Sequence, residues 1–287
     1  MENQSNNSHA ILEDPDEEII IIKKKKTRKT KITNIQNDNE ILNDIEILND
    51  NEILGDDESN ETNVLTLCPI PECINIEKIK EMVNGYMSPR VEYYKYKNRS
   101  PYIEDEFSEY FTAIASEGEE IGGGHCGTDV KTKDNEGIDA MCVIMNKDMS
   151  NEKSLIQNFS SSGSNLDTLF NEKKDEEAIQ LYMNDYSNKL KKVKKDKNLK
   201  KLYILAYIST NTDVYIACFK MNISKISNVK SGGFVENKKN CVNIIIDNFI
   251  DPNIGRVNLY RSKKRVELRL KQNLLHEEYV HKIYSMP

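Results

Sequence analysis

Three short stretches of this chain set oxygen-bearing and cationic side chains into otherwise apolar runs. "EGIDAMCVI", from Glu136, carries Asp139 near the start of a strand-like segment, and "SLIQNF", from Ser154, carries Gln157 near the end of another. Just upstream, "GTDVK" from Gly127 puts Asp129 and Lys131 two residues apart, hence on one face of an extended segment. Carboxylate and amide oxygens suit a hard cation, and a lysine suits an oriented water or a developing negative charge. The same residues have plain structural uses as well. An Asp at a strand start forms turns, a Gln in a strand pairs with backbone, and Gly137 beside Asn135 and Glu136 reads as hairpin punctuation.

The elements that must position these residues follow from periodicity. A short amphipathic helix is expected over 74–86, on the spacing of Ile76, Ile79, Met82 and Val83. "VEYYKYKNR" interleaves aromatic and basic residues, which fits a half-buried edge strand or a surface that stacks on nucleic acid. A helix after Ser100-Pro101 is expected to bury Phe107, Tyr110, Phe111 and Ile114 and to end at the Gly118–Gly124 region. Strands follow at 128–132, 138–145 and 154–159, then a long helix over 166–195 and a buried strand at 201–208. "DVYIACFKM" and "VNIIIDNF" extend the same sheet, and "KKRVELRLKQNL" is a strand or a short basic helix. The class is α/β, or α+β if hairpins dominate: a central mixed sheet flanked by helices.

This order of helix, three strands, helix and strand, with Asp139 opening the second strand and Gln157 in the third, resembles the restriction-endonuclease-like, or PD-(D/E)xK, nuclease fold. Within it, "EGIDAMCVI" and "SLIQNF" are similar to the "GGID" and "LIQxK" motifs of Mrr-type and AIPR-type nucleases. The resemblance spans about a hundred of the 287 residues. It implies a Mg²⁺-dependent DNA endonuclease in which Asp139 is the principal metal ligand and Gln157 the second. Glu106 or Glu109, in the preceding helix, would add a carboxylate. The lysine that the motif asks for two residues after Gln157 is replaced by Phe159. Lys131, in the D-x-K spacing with Asp129, is the expected substitute, and Lys153 at the edge of the turn is a second option. A catalytically silent module that binds nucleic acid or a partner protein, or a structural virion-associated protein, remains the alternative.

Other features have less to say about chemistry. "GGGHCG", from Gly122, lacks a Gly-Lys-Ser/Thr ending, so it is read as a loop bordering the site rather than a nucleotide-binding loop. Cys68, Cys73, His125 and Cys126 count enough ligands for zinc, but an adjacent His-Cys pair is a poor structural zinc set. The six cysteines are expected as free thiols. Lys191, Lys192, Lys194 and Lys195, with Lys263, Lys264 and Arg265, are candidate DNA-phosphate contacts, or else solvated surface.

Residues 1–63 hold 16 Asp or Glu against 7 Lys or Arg and are expected to be a disordered tail. The whole chain's charge of −7 therefore leaves a nearly neutral body. The tail contains a basic tract at 23–31 and a threefold hexapeptide from Asn37 to Leu54 to which no chemistry attaches. Residues 64–100 are expected as a helical and extended N-terminal addition to an α/β domain over 101–287. With no run of eighteen apolar residues and no signal-like opening, the chain is expected to be soluble and intracellular, with no membrane partner and with a homodimer possible. Its Asn, Ile and Lys bias resembles proteins of giant amoebal DNA viruses, which would place it in host cytoplasm, nucleus or virion.

Overall fold

The computed structural model describes residues 62–122, 127–156, 168–236, 242–260 and 265–287. Residues 1–61 of the tail expected over 1–63 lie outside them, as do His125, Cys126, Gln157, Phe159, Lys263 and Lys264.

Ile79, Val83 and Met87 recur at four-residue intervals and bury one side of α1 (Ile76–Met87), whose first turn is capped by Asn75 Oδ1 accepting from the Lys78 N–H at 3.0 Å. "VEYYKYKNR" is a helix rather than the expected edge strand. Val91 and Tyr94, three residues apart, turn inward along α2 (Val91–Lys97), and Asn98 ends it at a left-handed φ of 48°. In α3 (Asp105–Ala115) the buried side is Ser108, Phe111, Thr112 and Ala115, while Tyr110 and Ile114 face outward, so the helix is rotated from the expected aromatic stripe. Small residues on that side let α3 lie close over the sheet, where Thr112 Oγ1 meets the buried Tyr207 hydroxyl at 3.0 Å.

The central sheet is mixed. β2 (Glu119–Glu120), β3 (Val130–Lys131), β4 (Gly137–Asn146), β7 (Leu202–Ser209), β8 (Asp213–Met221) and β1 (Leu65–Cys68) lie side by side in that order. β13 (His281–Ser285) shares the β8 edge with β1, and β5 (Met149–Ser150) folds back on the end of β4. β4 and β7 run parallel, which requires a crossover, and α4 (Asp175–Asp196) lies between them in the chain. All eight residues of β7 are buried, the reason it reads as an unbroken apolar run. The helix expected over 166–195 is interrupted: residues 168–171 are helical, Lys173 then adopts φ 57°, and α4 starts at Asp175. The 64–100 segment belongs to the same body: β1 pairs along β8 and α1 lies against α3.

A second, antiparallel sheet runs β6 (Lys153–Ile156), β12 (Arg265–Leu270), β11 (Gly255–Tyr260), β10 (Val242–Asp247) and β9 (Lys230–Glu236). Two expectations change here. "VNIIIDNF" does not extend the central sheet but forms β10, and the third expected strand, β6, pairs with β12 rather than β4. β5 hands the chain across: Ser150 pairs with Met145 on one side, and its Oγ accepts from the Leu270 N–H at 2.9 Å on the other. One core fills the space between the central sheet, α4 and the second sheet; another lies between the central sheet and α1, α2 and α3. The expected α+β class, a mixed central sheet flanked by helices, is what the chain forms. Among the described residues no helix is long and apolar enough to cross a membrane, and Cys68, Cys73, Cys142 and Cys218 are free thiols.

Gly118 sets how the chain leaves α3. A Cβ there would overlap the Lys131 carbonyl oxygen and stand 2.9 Å from Thr132 Cα, both rigid backbone of the β3 region. Gly118→Ala is expected to cost about 1–3 kcal/mol of stability, as overpacking does, read as a lower urea midpoint. An unchanged midpoint would show that β3 yields at no cost.

Candidate active site at the open edge of a central strand

β3 pairs with β4 over only two rungs, Val130 with Ile138 and Lys131 with Gly137, and then departs. From there until β5 folds back at Met145, one edge of β4 has no strand to receive its N–H groups, although its other edge is paired with β7 from Gly137 to Ile144. Side chains complete the ladder. Asp129 Oδ2 accepts from the Ala140 N–H at 3.0 Å, Asp105 Oδ1 from Cys142 at 3.3 Å, and Asn151 Oδ1 from Ile144 at 2.9 Å. Asp129 also donates its own N–H to the Ile138 carbonyl at 2.8 Å, so its two bonds straddle residue 139. Its carboxylate is thereby brought against that of Asp139.

The two carboxyls are close enough to hydrogen-bond to each other when one of them carries a proton. Removal from water raises both pKa values; the charge of Asp129 and the bond between the two push Asp139 further, to well above the usual range, whereas that same bond and the Ala140 N–H hold Asp129 back. Near Asp139, on α4, Tyr186 is fully buried, which raises its pKa, and an ionised Asp139 would raise it further. Glu109, half-buried one helical turn after Asp105, is pushed up to about 7 by burial and then by the charges of Asp129, Asp105 and Glu120. Glu106, its expected alternative, is exposed on another side of α3.

The cation of this cluster is Lys153. Its Nζ donates to both carboxylate oxygens of Asp105 at 2.6 Å, and its charge lowers the pKa of Asp129 and of Asp139. Lys131, the expected substitute, lies on β3 between Glu119 and Gly137, and the cation among the leading influences on the Asp pair is Lys153 instead. Of the expected site residues, the fold brings together Asp129, Asp139, Glu109 and Lys153, the second of the two lysine options, and adds Asp105. Asp105 was detectable in the sequence, because it stands four residues before Glu109 and so shares its side of the helix. Lys153 was an option in the sequence too, but its precedence over Lys131 was not legible, since its approach depends on β6 leaving the central sheet. Gln157 and Phe159 lie just past the described end of β6. Among the described residues no group of three or more His, Cys, Asp or Glu side chains is placed to hold a metal ion.

The basic candidates divide. Lys191, Lys192 and Lys195 are exposed and Lys194 half-buried near the end of α4, where Lys194 and Lys195 also complement the helix dipole. The turn after α4 is tied to the start of β4 by Lys200 N–H to Asn135 O at 2.7 Å and Gly137 N–H to Lys201 O at 2.9 Å. This basic end therefore joins the chain two residues from Asp139. Arg265 is ion-paired to the fully buried Glu267.

A carboxyl whose pKa rises on folding holds its proton more tightly in the folded state. Its stabilising share is present below the unfolded pKa and is lost as pH climbs toward the folded value. Asp139→Asn keeps an N–H to donate to Asp129 and has nothing to ionise. Its melting temperature is expected to match the wild type at pH 4 and to exceed it at pH 8, by about 2–4 °C for each kcal/mol released in a body of this size. Equal melting temperatures at both pH values would mean that Asp139 is not held protonated.

In comparisons with known protein families, curated proteins and solved structures, nothing matches this chain.

Proposed function

We propose that this chain is a Mg²⁺-dependent nuclease acting on DNA, with Asp129 and Asp139 as the carboxylate pair of its reaction centre. The observation that carries the reading is that pair: two carboxyls set against each other, Asp129 just ahead of β3 and Asp139 on β4, with the charges of Glu109 and Lys153 acting on Asp139. Asp129 thus takes the relation to Asp139 that the motif resemblance assigned to Gln157.

Two carboxylates are what Mg²⁺ commonly takes from a protein, with water and substrate phosphate filling its remaining positions, so the pair fits such an ion in exchange for a proton. When bound, the ion supplies positive charge to the phosphate and to the attacking water. Glu109, about half-ionised near neutral pH, accepts the water's proton. Lys153, oriented by its two bonds to Asp105, stabilises charge developing on the phosphate. The lysines that end α4 hold flanking phosphates through unspecific attraction.

One observation favours a catalytically silent module that binds nucleic acid or a partner protein. Asp105 and Asp129 are already engaged as backbone acceptors, and Phe159 stands where the motif asks for a lysine two residues after Gln157. Cleavage separates the two. Wild type with Mg²⁺ or Mn²⁺ is expected to cut plasmid or single-stranded DNA. Asp139→Asn is expected to abolish cutting, and Glu109→Gln or Lys153→Met to slow it about 10²–10³-fold. The wild-type rate should rise with pH up to about 7 as Glu109 loses its proton, a rise that Glu109→Gln lacks. No cleavage by wild type on any of several substrates leaves the silent module.

A further inference from the structure

α2 sorts its three tyrosines in an unusual way. Tyr94 is buried and its hydroxyl donates to the Tyr102 carbonyl oxygen at 2.9 Å, anchoring the helix. Tyr93 and Tyr96 point away from that anchor and are 50% and 82% exposed, among the few large hydrophobic side chains left open on the described surface. Most other tyrosines of this body are core residues, including Tyr86, Tyr182, Tyr186, Tyr203 and Tyr207. Two open rings on one short helix are not needed for packing.

Their surroundings are basic. Lys95, Lys97 and Arg99 are exposed in the same stretch, and Glu92 is its one acid, loosely paired to Lys95 at 3.8 Å. Lys97 Nζ lies 5.0 Å from the centroid of the Tyr96 ring, over its face. Open aromatic faces interleaved with cations suit unpaired bases, whose flat rings stack while their phosphates meet the ammonium groups; a duplex hides those faces. The Tyr102 end of the anchor is three residues from Asp105, at most about 11 Å of chain. The inner side of α2 is therefore tied to the segment that leads into the carboxylate cluster.

We infer that α2 is a stacking platform for single-stranded nucleic acid, with Tyr93 and Tyr96 as the rings and Lys95, Lys97 and Arg99 as the phosphate contacts. This deepens the nuclease reading and rests on its nucleic-acid substrate. It names an unpaired strand, or an unwound segment, as what the protein grips.

The test is fluorescence anisotropy of the full chain in EDTA, where no cutting occurs, with labelled single strands of about 16 nucleotides and the matching duplex. Single-stranded DNA and RNA are run in parallel to separate the two sources of unpaired bases. Wild type is expected to bind a single strand more tightly than the duplex. The Tyr93→Ala/Tyr96→Ala protein should lose about tenfold or more of that affinity with an unchanged melting temperature, and Tyr93→Phe/Tyr96→Phe should keep it. Lys95→Ala/Lys97→Ala should flatten the salt dependence by about 1.4 in log–log slope. Overturning results are wild-type affinity in the double alanine protein, loss in the double phenylalanine protein, preference for duplex, or a homodimer that the alanine pair dissolves without changing nucleic-acid affinity. Ring-dependent binding without cleavage on any substrate removes the nuclease reading alone. Cleavage with ring-independent binding removes this inference alone.

Discussion

A strand buried in a sheet must satisfy its N–H groups on both edges, and on β4 that requirement is met in two ways. Along one edge β7 supplies carbonyls rung by rung; along the other β3 stops after two rungs and carboxylates take over. Each unpaired buried N–H would cost about 1–3 kcal/mol, so the acceptors are fixed by the fold as firmly as any core contact. This substitution brings Asp105 and Asp129 to β4 and sets Asp129 against Asp139. The cluster's acidity, its crowding and its position at a gap in the sheet all follow from the early departure of β3.

That dual use constrains what the site can be. A carboxylate that receives a backbone N–H keeps other lone pairs, so Asp129 can complete the ladder through Oδ2 and still meet a cation or a proton. Asp139 makes no such backbone bond in the described contacts, and its desolvation is offset through Asp129 and Lys153. Clustered carboxylates held close together commonly trade stability for chemistry, and raised pKa values are where that trade is visible.

Much of this was legible in the sequence. β7 and β8 announce themselves by continuous apolar character, and α1 by its four-residue spacing. The Asp129 and Asp139 segments read as adjacent strands because only a tight polar turn separates them. What failed did so through tertiary context. "VEYYKYKNR" has strong strand propensity residue by residue, yet Val91 and Tyr94 at helical spacing bury against a neighbouring helix layer, and packing overrides propensity. β6 and β10 look like members of one sheet because short apolar strands do not encode which sheet receives them. Lys131 seemed well placed from its alternation with Asp129, but alternation fixes a face and not which charged tip reaches across it.

Lys153 stands on β6, a strand of the second sheet, while every acid it influences belongs to the central sheet or to α3. The electrostatic balance of the cluster is therefore a joint property of two layers that meet through β5. Ion-pair attraction falls with separation, and steeply in effect where water is excluded. Drawing the sheets apart by even a small distance would take Lys153 away from the Asp pair and make both acids weaker. The proton affinity of Asp139 is in this sense a gauge of the gap between two sheets.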